Sequence, residues 1–223
     1  MSCSVIAHGA NSLVAIDEAA AAGVNGVELD VRRRADGTLV LAHDRDDVGA
    51  AVELGAALDR VVRLGLDVQV DVKEPGFERA LAAALDHRGL TERAFVSSPS
   101  PGVLRACARA DPRLVRSLTY PEDRAGLSRS RVGRPLVAPA LRLLRRSLPW
   151  RLPRLVRAAD ASRVTLNHAL ADDAALGVCR DLGVEVCVWT VDDRGEARRL
   201  AERGVVAIIT DDPRILAGRT FTP

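Results

Sequence analysis

Gly26-Val27-Glu28-Leu29-Asp30-Val31 sets two carboxylates into a segment whose other residues are those of a buried strand. Side chains along a strand alternate between its faces, so Val27, Leu29 and Val31 share one face while Glu28 and Asp30 share the other. Val68-Gln69-Val70-Asp71-Val72-Lys73 repeats the pattern, with Asp71 and Lys73 opposite valines. If the apolar faces pack against helices, the ionic faces converge inside a sheet or barrel. An isolated carboxylate there is costly unless a cation offsets it, and a bound divalent metal is the simplest such cation. The plainer alternatives are a solvent-facing antiparallel strand for Glu28 and Asp30, and an internal salt bridge for Asp71 and Lys73.

Two more apolar runs stop on Ala-His and then turn: Val5-Ile6-Ala7-His8-Gly9 and Leu39-Val40-Leu41-Ala42-His43-Asp44. Each histidine is therefore expected at a strand exit, where an imidazole suits proton transfer near neutrality. Outward from these segments, strand and helix patterns alternate along the chain. The strand candidates are 4–8, 26–32, 66–73, 94–98, 114–119, 163–167, 184–191 and 205–210, with helical patterns at 12–22, 49–64, 76–86, 102–110, 172–182 and 194–203. Eight strands with helical crossovers predict an α/β fold of the (β/α)8 TIM-barrel type, as one domain over residues 1–223. Leu39 to His43 reads as a short extra strand at the mouth, outside the eight. Ligands bind at the C-terminal ends of such strands. His8, Glu28, Asp30, Asp71, Lys73, Ser97, Ser98, Thr119, Asn167, Trp189 and Asp211 all fall at or beyond those ends. His168 follows the sixth strand and is expected to be merely solvated.

Composition narrows the classes further. The chain is 48% hydrophobic but only 3% aromatic, which suits helices on a parallel sheet better than an aromatic-rich sandwich. A net charge of +2, without a basic strip interleaved with aromatics, argues against nucleic acid as a partner. Cys3, Cys107, Cys179 and Cys187 are scattered, with no Cys-x-x-Cys, so reduced thiols in a cytoplasmic protein are expected. There is no secretion-signal pattern at the start and no apolar run of the roughly 20 residues that a membrane span needs. The least regular stretch, 120–160, must hold one crossover helix. It carries Arg142, Arg145, Arg146, Arg151, Arg154 and Arg157 among Leu, Pro and Trp150. These arginines either snorkel past an apolar face or let the 141–157 stretch touch an anionic membrane peripherally.

Taken in order, the segments resemble the glycerophosphodiester phosphodiesterase superfamily of phospholipase-C-like phosphodiesterase barrels over nearly the whole chain. The residues that carry the resemblance are His8, Gly26-Val27-Glu28-Leu29-Asp30-Val31, Asp36-Gly37, His43-Asp44, Asp71-Val72-Lys73, Val188-Trp189-Thr190-Val191-Asp192 and Ile208-Ile209-Thr210-Asp211-Asp212-Pro213. Three departures accompany it. His-Arg-Gly becomes His8-Gly9-Ala10, Glu-Asn-Thr becomes Asn11-Ser12 without the Glu, and the insertion that commonly follows His-Asp is absent. These departures, with Ile16-Asp17-Glu18 and Asn25, are similar to the sphingomyelinase D and phospholipase D relatives, although their disulfide loop has no counterpart here.

The resemblance implies a metal-dependent phosphodiesterase that cleaves glycerophosphodiesters to an alcohol and glycerol phosphate. Glu28, Asp30 and Asp71 would hold Mg²⁺, with Ca²⁺ as the alternative ion. His8 and His43 would be the acid and base, Lys73 and Asn11 would meet the phosphate, and Trp189 would wall the pocket or simply fill the core. The attacking oxygen is water or a hydroxyl of the substrate. Two alternatives stand beside this reading: cleavage of lysophospholipid or sphingolipid headgroups, and a barrel that binds a phosphate-bearing ligand without turnover.

Overall fold

The computed structural model describes residues 3–121 and 134–216, so residues 122–133 of the irregular stretch lie outside the described residues. The strands are β1 (Ser4–Ala7), β2 (Gly26–Arg33), β3 (Leu39–Leu41), β4 (Asp67–Val72), β5 (Ala94–Ser98), β6 (Val115–Tyr120), β7 (Arg163–Asn167), β8 (Glu185–Trp189) and β9 (Ala207–Thr210). Eight of them run in the order β1-β9-β8-β7-β6-β5-β4-β2, and a parallel β1–β2 pairing closes the ring into the expected barrel. The ninth, β3, is the extra strand of the mouth and pairs antiparallel with Val31, Arg32 and Arg33 of β2.

The alternating residues divide as strand geometry requires. Val27, Leu29 and Val31 of β2, Val68, Val70 and Val72 of β4, Val164 and Leu166 of β7 and Ile208 of β9 are buried beneath the helices. Those helices are α1 (Leu13–Ala21), α2 (Leu54–Leu64), α3 (Glu78–Asp86), α4 (Pro101–Ala110), α5 (Arg134–Ala159), α6 (Asp173–Asp181), α7 (Arg194–Glu202) and α8 (Pro213–Leu216). They contribute fully buried Ile16, Leu58, Leu81, Leu85, Leu104, Leu148 and Leu152 to the same layer. Inside the barrel a small apolar cluster of Ile6, Phe95, Cys187, Ala207 and Ile209 forms a floor. Above it lies a buried polar belt in which Gln69 donates to Ser97 at 3.0 Å and Ser117 bonds Thr165 at 2.7 Å. The acids of β2 and β4 sit above the belt, at the mouth.

Among the differences from the sequence reading, two stand out. The helix expected from Gly49 starts at Leu54, because Arg45–Gly49 closes into a 3₁₀ turn first. The crossover in the irregular stretch is a single helix of 26 residues, α5, with Pro139, Pro149 and Pro153 inside it. A proline in a helix interior costs about 3 kcal/mol or more. The compensation lies on the inner face, where Leu148, Leu152, Val156 and Ala159 recur at helical spacing and are buried.

Gly26 opens β2 for a local steric reason. A Cβ there would come within 2.8 Å of the Asp67 carbonyl oxygen, so only glycine lets β2 approach β4 at the register that brings Asp30 opposite Asp71.

Candidate active site

Glu28, Asp30 and Asp71 are all buried, and one carboxylate oxygen from each lies within 4.8 Å of the others. The Lys73 ammonium completes the cluster, 2.5 Å from Asp30 Oδ1 and 2.5 Å from Asp71 Oδ2. Three further carboxylate oxygens are also held. Gly9 N donates to Glu28 Oε2 at 2.7 Å, and Ser97 Oγ donates to Asp71 Oδ1 at 2.6 Å. Asn11 clamps Asp30 from both sides, accepting from its backbone N at 2.9 Å and donating to Oδ2 at 2.7 Å. Gly9 meets Glu28 from a left-handed turn, φ 61°, which glycine adopts without strain.

Three carboxylates against one ammonium leave negative charge uncompensated. Burial first, then the charges of Asp30 and Asp71, push the Glu28 carboxyl well above the usual carboxylate range. Burial also works to raise Asp30, but hydrogen bonds and charge from His43 and Lys73 outweigh it and hold that carboxyl far below the usual range. Lys73 is disfavoured by burial, yet the surrounding carboxylates, Asp71 foremost, drive its pKa upward. The donor set is all oxygen and partly unneutralised, and so fits a hard divalent cation.

Each imidazole is anchored through Nδ1 to a carboxylate. His8 Nδ1 lies 2.6 Å from Asp211 Oδ1, and His43 Nδ1 lies 2.9 Å from Asp30 Oδ2. Asp211 is in turn fixed by Asp192, whose Oδ1 accepts from Asp211 N at 2.9 Å and from Thr210 Oγ1 at 2.8 Å. On the other side, the Arg32 guanidinium donates twice to the His43 carbonyl, at 3.1 and 2.9 Å. Glu74 backs that arginine at 3.3 Å, accepts from Arg33 N at 3.1 Å, and pairs with Arg45 at 2.7 Å.

The edge of β2 explains why both histidines meet the acids. β1 pairs with its first residues, Gly26 and Val27, and β3 with its last, Val31 to Arg33. Between those pairings Ala10 N donates to Glu28 O and Ala42 N donates to Asp30 O, each at 2.9 Å. The turn carrying His8 and the turn carrying His43 are thus pinned to the two acids themselves.

The sequence profile of the Glycerophosphoryl diester phosphodiesterase family matches residues 6–63 and 58–215. The chain belongs to this family. Membership makes it a phosphoric diester hydrolase by reaction class. The two matched stretches overlap over residues 58–63, within α2. A glycerophosphodiester phosphodiesterase of Caldanaerobacter subterraneus subsp. tengcongensis is 25% identical over 243 residues, covering 92% of this chain and 90% of that one. One from Arabidopsis thaliana is 26% identical over 250 residues, covering 96% of this chain and 72% of its own length. Among solved structures, an Oleispira antarctica phosphodiesterase in complex with the product sn-glycerol-3-phosphate superposes with a TM-score of 0.70 at 19% identity, covering 96% of each chain. A Silicibacter pomeroyi protein gives 0.73 at 19% identity, covering 95% of this chain and 90% of that one. At these identities the structural likeness speaks for the barrel.

Within this phosphodiesterase fold the predicted residues are placed as follows. His8, His43, Glu28, Asp30, Asp71 and Lys73 lie together at one end of the barrel. Asn11, expected to meet phosphate, spends both ends of its amide on Asp30. Trp189 rests on the apolar floor, donates Nε1 to Thr165 O at 3.3 Å and remains half-buried. Ser98 donates to Val72 O, and Asn167 caps Ala169 N. His168 is not free, since Nδ1 is 2.8 Å from Glu196 Oε1. The sequence reading assigned no role to Arg32, Glu74, Asp192 or Asp211. For Asp211 the signal was available, because Ile208-Ile209-Thr210-Asp211 is an apolar run stopping on a polar residue at a strand exit, like the run to His8.

Proposed function

We propose that the chain hydrolyses glycerophosphodiesters to an alcohol and glycerol phosphate by general acid–base catalysis between His8 and His43. The observation that carries this reading is two carboxylate-anchored imidazoles beside three clustered, buried acids. Glu28, Asp30 and Asp71 would hold the divalent cation, Mg²⁺ in our reading. When bound, such a cation supplies a Lewis acid for the phosphoryl oxygens.

The chain's own groups do the rest. One imidazole takes the proton of the attacking water while the other gives a proton to the leaving alcohol oxygen, so the P–O bond breaks without releasing an alkoxide. Anchoring at Nδ1 assigns the exchange with substrate to Nε2 in both rings. Asp211 holds the His8 ring in orientation, and Asp30 does the same for His43 and would also help hold the cation. The Lys73 ammonium donates to Asp71 Oδ2 and forms an ion pair with Asp30 Oδ1, and an ammonium's three donors would let it also meet a phosphate oxygen. Asn11 acts through Asp30, holding the carboxylate that the cation and His43 share. The exposed side of Trp189 would pack against the alcohol portion. The substrate class includes phosphodiesters that still carry an acyl chain. No helix among the described residues is long and apolar enough to cross a membrane. All four cysteines are free and buried, which supports a reducing, cytoplasmic setting.

The test is release of alcohol from glycerophosphocholine, lysophosphatidylcholine and a chromogenic phosphodiester, with Mg²⁺ and then with EDTA. Turnover that EDTA abolishes is expected, and no turnover on any of the three would sink the proposal in favour of a binding barrel. His8→Ala and His43→Ala should each lower kcat by at least about 100-fold while the far-ultraviolet spectrum is unchanged.

A further inference from the structure

The outer face of α5 has no role in the chemistry above, and it sets exposed Trp150 and Leu143 among arginines. The helix carries seven arginines and no acidic residue. Its inner face is buried through Leu148, Leu152 and Val156, so the opposite face points to solvent. That face presents Arg142, Leu143, Arg146, Trp150, Arg154 and Arg157 at helical spacing. Trp150 is 88% exposed and Leu143 is 71% exposed, more than any other large apolar side chain among the described residues. Trp150 is flanked one turn away on either side by Arg146 and Arg154. No carboxylate among the described residues pairs with Arg142, Arg146 or Arg154, whereas Arg145 turns aside to Asp172 at 2.8 Å.

The position of this face ties it to the mouth. α5 descends from the C-terminal end of β6 to the start of β7, so its N-terminal half lies on the active side of the barrel. Arg151 donates to the hydroxyl of Tyr120, the last residue of β6, and Asp172 is the cap of α6 on the same rim. At about 1.5 Å per residue, α5 continues for roughly 16 Å on the N-terminal side of Arg145.

We propose that this face seats the enzyme on an anionic phospholipid bilayer. Trp150 and Leu143 enter the interface, while Arg142, Arg146 and Arg154 contact lipid phosphates, bringing the mouth to phosphodiesters borne by lipids. Charge selects this occupant. A second copy of the same face would oppose arginine with arginine, whereas an anionic headgroup layer matches the cations and accepts the indole at its boundary. The link from docking to substrate rests on the hydrolase reading above, but the docking itself does not.

The experiment uses the full chain and vesicles of phosphatidylcholine with or without phosphatidylglycerol. Sedimentation should show partition onto the phosphatidylglycerol vesicles only, reversed near 1 M salt, where the screening length is about 3 Å. R146Q/R154Q should lower the partition constant about 25-fold, roughly 5-fold for each arginine near the surface. R79Q/R198Q, which removes the same charge from α3 and α7, should leave it nearly unchanged. In a W189F background, Trp150 emission should shift to the blue only when anionic vesicles are added. Partition that ignores lipid charge, or that both double variants weaken equally, overturns the proposal. So does a blue-shifted Trp150 in a vesicle-free dimer, which would assign the face to a second copy. Hydrolysis of water-soluble glycerophosphocholine is measured alongside: its absence would refute the reaction and leave the vesicle result standing.

Discussion

Replacing Lys73 with Met tests the electrostatics of the site directly. The ammonium contacts Asp30 and Asp71 at 2.5 Å each, and its side chain is only 18% exposed. Methionine keeps most of the stem and removes the charge, so Asp30 and Asp71 lose the buried cation they share. Breaking a buried pair by removing one partner typically costs about 3–5 kcal/mol, and a loss of that size is expected in urea unfolding of the metal-free protein at pH 7. Two further results distinguish this cause from a packing defect. Lowering the pH should narrow the deficit, because protonating a carboxyl removes the uncompensated charge. Saturating Mg²⁺ should stabilise the variant more than it stabilises the wild type, because the variant's site is one charge more negative. A loss below about 1 kcal/mol, or a deficit that neither pH nor Mg²⁺ changes, would refute the argument that these groups form one charge-balanced cluster.

Asp211→Asn should lower kcat about 10–100-fold with little loss of stability, since it removes only the carboxylate behind His8 at an exposed position; a pH–rate profile identical to wild type would separate Asp211 from His8. Arg32→Leu releases the His43 carbonyl and should lower kcat by up to about 100-fold with KM nearly constant, and Arg32→Lys should recover part of it. Equal loss in both variants would indicate a folding effect instead. Mg²⁺ binding should release a proton and weaken as the pH falls, because Glu28 holds its proton well above the usual range until the cation displaces it. Calorimetry in buffers of different ionisation enthalpy measures that proton. The linkage to stability has opposite signs for the two acids of β2. The raised Glu28 stabilises the metal-free fold below its unfolded pKa of 4.5 and loses that contribution as the pH rises through its folded value. The lowered Asp30 contributes above 3.8 and loses its contribution on acidification. Acid and base limbs of a metal-free stability profile should therefore both fall away from an intermediate optimum.

The parts of the site that could be read from sequence are those set by strand period. Glu28 and Asp30, or Asp71 and Lys73, share a face because they are two residues apart, and His8 and His43 end apolar runs. What could not be read is which distant groups hold them. His8 meets Asp211 across a separation of 203 residues, and the Arg32 grip on His43 is a side-chain bond to a backbone oxygen that no spacing rule encodes. Asn11 was legible as polar and near the site, but its engagement with Asp30 was not, because that partner is set by the turn after β1. Local chemistry also misleads at α5, where three prolines argue against a long helix and the burial of its inner face overrides them.

The shared edge of β2 means that the barrel wall is discontinuous beside the reacting groups. Parallel ladder below and antiparallel ladder above are bridged across Glu28 and Asp30 by the turns themselves, through the amides of Ala10 and Ala42 and the side chain of Asn11. A cation held by Glu28 and Asp30 would load the strand from which both turns hang, so filling the site would also steady the turns that carry His8 and His43. Turns hung at such a seam can also be remodelled without breaking a ladder bond, which gives this barrel freedom to vary its mouth while the ring stays shut.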